Sequence, residues 1–206
     1  MSTDNTETTP ERPTQEVSLT VNGEEVTSEI EPRLKLSDFL RNYADLNGVR
    51  VGCEHGVCGA CTVNVDGELV KSCMMYAVQT EGSEILTVEG LSDDGSLHPI
   101  QEAFHEEHAL QCGFCTSGFV MSTHDLLEDN PDPSQEEMEA QLSSNICRCT
   151  GYQNIYDAVG RAADKLDGDR AADEMDDDRA ADEMDGDRAA DEMDDDRAAD
   201  EMDGDD

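Results

Sequence analysis

The chain has 206 residues, enough for one large domain or two small ones, and its 51 acidic against 13 basic residues give a net charge of −38. Such a field repels phosphate, which disfavours nucleic-acid binding. No apolar run reaches the length of a membrane span.

Residues 1 to about 15 are rich in Ser, Thr, Pro and Glu without apolar periodicity, and are expected to be a disordered leader. Order is expected from Val17, where Val17-Ser-Leu19-Thr-Val21 alternates like a half-buried strand. Asn22-Gly23 is a hairpin turn signal, with a second strand running to about Ile30. Leu36, Phe39, Leu40 and Tyr43 then recur at helical spacing. Thr62–Val65, Asp66-Gly67 and Leu69-Val70 read as a second hairpin, and Ile85–Val88 as a last strand. These elements predict a small α+β domain over 16–90.

Between the helix and the second hairpin lies Cys53-x4-Cys58-x2-Cys61, followed by eleven residues and then Cys73. This is the plant-type spacing for a [2Fe–2S] cluster held by four thiolates. Gly52, Gly56 and Gly59 are interleaved with the thiols, and backbone free of Cβ lets amides approach the sulfurs. Zinc, or inert buried cysteines, are the alternatives.

From about residue 91 the pattern turns helical. Pro99 opens a helix carrying Ile100, Ala103 and Phe104. A second carries Phe119, Val120, Leu126 and Leu127. Ser134 with Glu137 forms a capping box for a third, and Ile155, Val159 and Ala162 mark a fourth. Cysteine pairs sit at two helix junctions, Cys112-x2-Cys115 and Cys147-x-Cys149, separated by 31 residues. Each pair alone is weak, since such pairs also serve zinc and redox chemistry. Together, in a chain already carrying one quartet, they favour a second [2Fe–2S] site over zinc. All eight cysteines are thereby allocated as ligands. With no apolar N-terminal segment to mark secretion, metal-bound thiolates in a reducing cytoplasm are expected in place of disulfides. His105 and His108, at i, i+3 on a helix, and His124 on the next are read as surface residues before zinc ligands. Met74, Met75 and Met121 are read as core filler.

The two quartets in this order, with Gly59-Ala60-Cys61-Thr62-Val63, Leu97-His98-Pro99-Ile100-Gln101, Gln111-Cys112-Gly113-Phe114-Cys115-Thr116 and Asn145-Ile146-Cys147-Arg148-Cys149-Thr150-Gly151-Tyr152, resemble a known family. It is the iron–sulfur subunit of the molybdenum hydroxylases, the xanthine dehydrogenase, aldehyde oxidoreductase and aerobic carbon monoxide dehydrogenase family. The resemblance covers about Val17 to Ala163. It implies a β-grasp, ferredoxin-like domain over 16–90 and a four-helix domain over 91–167, each with one [2Fe–2S] cluster. It implies ligation by Cys53, Cys58, Cys61 and Cys73 in the first, and by Cys112, Cys115, Cys147 and Cys149 in the second. It also places Gln111 and Cys149 against the pterin of a large molybdopterin-binding subunit, with a medium FAD-binding subunit receiving the electrons. Catalysis is then expected on a partner, in agreement with the lack of any nucleotide-binding loop or nucleophile motif here. Ser117 and Phe119 depart from the family, which usually has proline and methionine there. A free-standing two-cluster electron carrier and a zinc-stabilised interaction protein are the competing readings.

The tail from 168 to 206 repeats a nine-residue unit, Arg-Ala-Ala-Asp-Glu-Met-Asp and two more, four times. Nine residues turn a helix by about 900°, so successive methionines fall on opposite faces and no apolar seam forms. A disordered acidic tail is expected. Residues 1–167 still hold 31 acids against nine basic residues, and Lys35, Lys71 and Lys165 are the chain's lysines. An acidic, lysine-poor surface suits concentrated salt, where repulsion is screened, and predicts a halophilic protein. Thermal unfolding should occur at a higher temperature in molar KCl than in dilute buffer. Equal midpoints would contradict it.

Overall fold

The alternation at Val17, Leu19 and Val21 becomes the buried face of β1 (Gln15–Val21), paired antiparallel with β2 (Glu24–Ile30). The computed structural model describes residues 12–92 and 95–168. Asn22 and Gly23 take φ of 51° and 83°, the left-handed backbone that a two-residue hairpin turn requires. Asp66 and Gly67, at 52° and 91°, do the same between β3 (Thr62–Val65) and β4 (Glu68–Lys71). β5 (Glu84–Leu86) closes the sheet in the order β2-β1-β5-β3-β4, parallel to β1 and antiparallel to β3. α1 (Leu36–Asn42) packs Leu36, Phe39 and Leu40 into the core beside Val17, Ile30, Val63 and Ile85. A mixed five-stranded sheet grasping one helix is the expected β-grasp.

Four helices follow. α2 (Pro99–Glu106) begins on proline, whose missing N–H costs nothing at a first helical position. α3 is Thr116–Asp129, α4 is Gln135–Leu142 and α5 spans 153–168. The Ser134 capping box is present, the Ser134 hydroxyl accepting from the Glu137 amide while Ser134 N donates to the Glu137 carboxylate at 2.8 Å. Ile100, Phe104, Phe119, Leu127, Leu142, Ile155 and Val159 are buried. Phe119 is buried against Tyr152, ring centroids 6.3 Å apart and edge-on. By internal contacts Met1–Ala163 is one unit, and the second begins at Asp164 within α5.

Four local expectations are corrected. Residues 12–15 belong to the ordered chain: Arg12 pairs with Glu31 at 3.0 Å, and β1 starts at Gln15. The last strand stops at Leu86, because the Thr87 amide donates to the Asn22 side chain at 2.9 Å and the backbone turns into a 3₁₀ stretch, Val88–Leu91. α2 ends at Glu106, so His108, at φ 52°, lies outside it. Met74 is 54% exposed, lying over Gly56 on the surface of the first cysteine loop, whereas Met121 is buried. The rest of the leader and the tail beyond 168 lie outside the described residues.

The two halves meet at a pair of glycines. A Cβ at Gly118, in the first turn of α3, would sit 2.1 Å from the Gly59 carbonyl oxygen, a backbone atom that cannot swing aside. Gly160, inside α5, has nothing within 4 Å of its Cβ position. Gly118→Ala should therefore destabilise by about 1–3 kcal/mol. Gly160→Ala should stabilise by about 0.5–1 kcal/mol, the usual gain of alanine over glycine in a helix. Thermal unfolding of the two variants reads the opposite signs directly.

Candidate metal centres

The loop between α1 and β3 brings Cys53, Cys58 and Cys61 to one end of the sheet, and Cys73 reaches them from the 3₁₀ turn after β4. Positive φ at Glu54, Gly56 and Gly59 curls this loop, turning amides toward the sulfurs. The Cys58 amide donates to Cys53 Sγ at 3.4 Å. Backbone hydrogen bonds from His55, then Cys58, pull the half-exposed Cys53 thiol down to about 6. Burial pushes Cys73, in contact with Cys61, up to about 11. His55 bonds the Cys53 carbonyl, a loop-fixing role.

The second set forms at the junctions before α3 and α5. Cys112 and Cys149 are both exposed, their sulfurs 3.7 Å apart. That is far beyond a disulfide bond of about 2.05 Å. It matches the edge of a tetrahedron with metal–sulfur bonds of about 2.3 Å. Cys115, which burial raises to about 12, contacts the buried Cys147. Burial opposes ionisation of Cys147 as well, yet bonds from Thr150 bring its thiol below the ordinary value: the Thr150 hydroxyl lies 3.1 Å and its amide 3.4 Å from the sulfur. Gln111 is exposed beside Cys112.

Both sets therefore consist of two sulfur pairs, Cys53 with Cys58 and Cys61 with Cys73, then Cys112 with Cys149 and Cys115 with Cys147. Among the described residues no three His, Cys, Asp or Glu side chains converge on a single ion. A diiron core does not require that, since four thiolates shared by two irons leave two to each. Thiols whose ionisation burial disfavours, such as Cys73 and the partly exposed Cys115, are also suited to a metal, whose charge deprotonates a coordinating thiol. The donor sets fit [2Fe–2S] clusters.

The two sets touch through the residues beside them. The Ile146 amide donates to the Cys58 carbonyl at 2.9 Å. Asn145, 2% exposed, donates from Nδ2 to the Gly59 carbonyl at 3.2 Å and accepts at Oδ1 from Ser122 at 2.9 Å and Ser144 at 2.8 Å. Thr62 Oγ1 donates to the same Gly59 oxygen at 2.6 Å and accepts from Lys71 Nζ at 2.8 Å. Sequence reasoning missed Asn145, since its partner lies 86 residues away. It also missed the Thr150 hydroxyl, although a hydroxyl residue following Cys149 was a usable signal.

Family models agree with this geometry. One described as a 2Fe-2S iron-sulfur cluster binding domain matches residues 19–87, and one described as a [2Fe-2S] binding domain matches 87–160. The protein is thus of the class that carries two [2Fe–2S] clusters in tandem domains. Over 144 residues, 70% of this chain and 87% of the other, it is 56% identical to the nicotine 6-hydroxylase small subunit of Paenarthrobacter nicotinovorans. It is 53% identical to the caffeine dehydrogenase subunit gamma of a Pseudomonas species, over 69% of this chain and 87% of that one. A chain of quinoline 2-oxidoreductase from Pseudomonas putida superposes with a TM-score of 0.71 at 45% identity, covering 73% of this chain and 94% of that one. This chain belongs to the family of iron–sulfur small subunits of molybdenum hydroxylases, and serves such an oxidoreductase in electron transfer. Among the described residues no helix is long and apolar enough to cross a membrane.

Asn145→Ala removes the donor to Gly59 and leaves the buried Ser122 hydroxyl short of an acceptor. The expected loss is about 1–3 kcal/mol. It is read as earlier bleaching of the visible absorption on heating; melting at the wild-type temperature would show that the Asn145 bonds contribute nothing.

Proposed function

We propose that Cys53, Cys58, Cys61 and Cys73 hold the first [2Fe–2S] cluster of this subunit, and Cys112, Cys115, Cys147 and Cys149 the second. What supports the assignment most is the resolution of each set into two sulfur pairs, with Cys112 and Cys149 at a tetrahedral-edge separation of 3.7 Å. A bound [2Fe–2S] core supplies one-electron exchange. The protein's part is to fix thiolates, donate amides and hydroxyls to sulfur, and keep the two sites in one rigid frame.

The exposed edge formed by Gln111, Cys112 and Cys149 is the face for the molybdopterin of the large subunit, with Gln111 and Cys149 as its contacts. Electrons enter at this helical half (91–167), cross to the ferredoxin-like half (16–90) and leave towards FAD on a medium subunit. The direct bond between the Ile146 amide and the Cys58 carbonyl supports a short path between the two sites. A cytoplasmic site suits eight unpaired thiols.

Iron and acid-labile sulfide analysis of the full chain should give about four of each per chain. Cys73→Ser should halve both and spare the other cluster's spectrum, as Cys115→Ser should in reverse. Full iron content in both variants would overturn the ligand assignment. A tagged chain isolated from its host should bring down molybdenum- and flavin-containing partners, whereas isolation alone with complete electron-carrier activity would favour a free-standing carrier.

A further inference from the structure

Lysine is scarce in this protein: there are three, in a chain with a net charge of −38. Two of them are fixed beside the first cysteine set. Lys35, half-buried ahead of α1, donates from Nζ to the backbone carbonyl of Cys73 at 2.8 Å and lies over the Tyr76 ring at 5.8 Å. Lys71, half-buried at the end of β4, donates to Thr62 Oγ1 at 2.8 Å, next in sequence to Cys61, and approaches Ser144 Oγ at 3.4 Å. Burial lowers the pKa of its ammonium, and the neighbouring charges of Cys61, Cys58 and Cys73 oppose that fall. Neither lysine forms a salt bridge with a carboxylate among the described residues, although acids are in large excess. In the second set the nearest cation in sequence, Arg148, is exposed, where solvent screens it.

We propose that Lys35 and Lys71 are positioning residues for the electron: a cationic pair held against the Cys53, Cys58, Cys61 and Cys73 site that raises its reduction potential. Reduction there takes one electron and no proton, makes and breaks no bond, and adds one negative charge to a site already bearing four thiolates. Net charge and exposure are among the properties that set such potentials. A fixed ammonium in a half-buried position stabilises the more negative state, and does so more strongly than a solvated one. Burying two scarce cations here, away from the acidic surface, makes this site the better electron acceptor of the two. The lysines reach the site through a backbone carbonyl and a threonine hydroxyl, so they set charge without supplying a ligand.

The inference rests on the ligand assignment above, and the test separates the two. Full-length chain with both clusters is titrated with dithionite under EPR, each signal being assigned through Cys73→Ser and Cys115→Ser. Absence of the two clusters from the unsubstituted chain would sink the assignment itself. With both present, Lys35→Gln and Lys71→Gln should each lower the midpoint of the first cluster, and the double variant should lower it further. The second cluster should move less or not at all, and Lys35→Arg and Lys71→Arg should restore the unsubstituted midpoint. Should Lys71→Gln fail to assemble, Lys35→Gln and its Arg counterpart decide the matter. An unmoved first midpoint, or equal falls at both clusters, overturns the proposal.

Discussion

Backbone contact between the two cysteine loops is the constraint on which the structure turns. The Gly59 carbonyl is held from three sides: Asn145 Nδ2 donates at 3.2 Å, Thr62 Oγ1 at 2.6 Å, and Gly118 closes over it so tightly that a methyl group has no room. Gly59 lies between two cysteines of the first set, Cys58 and Cys61. Asn145 lies two residues before Cys147 of the second. An electron relay needs its sites at a fixed short separation, and these contacts supply that. Asn145 is itself anchored by Ser122 in the middle of α3, so the second loop cannot shift without disturbing a buried helix.

The two sites are built alike in sulfur pairing and differently in surroundings. In the first, amides and two lysines converge on a loop curled by left-handed residues, with Cys61 and Cys73 buried beneath it. In the second, Cys112 and Cys149 are open to the outside, while Thr150 supplies a hydroxyl and an amide to the buried Cys147. In the proposed reading, the exposed edge is the end that meets a donor, and the lysine-flanked site is the end that receives the electron.

Much of the fold was legible because its signals are local. Asn22-Gly23 and Asp66-Gly67 dictate their turns through backbone that few other residues adopt. Ser134 with Glu137 marks the start of α4, and the cysteine spacings define both loops. What escaped depends on contacts distant in sequence. The strand at Ile85 ends two residues short of its apolar run because the Asn22 side chain, 65 residues away, takes the Thr87 amide. Met74 looked like core by composition, but the loop it covers is itself at the surface. The cysteine sets announce themselves by spacing, whereas Asn145, Thr150, Lys35 and Lys71 are ordinary residues until the fold puts them beside a cysteine loop.

The central claim is that two diiron sites share one rigid frame close enough to exchange electrons. Low-temperature EPR of the fully reduced, full-length chain tests it most directly. Two signals of equal intensity, together integrating to about two spins per chain and broadened by mutual magnetic interaction, are what the structure predicts. A single spin per chain, or two signals that behave as if isolated from each other, would contradict it.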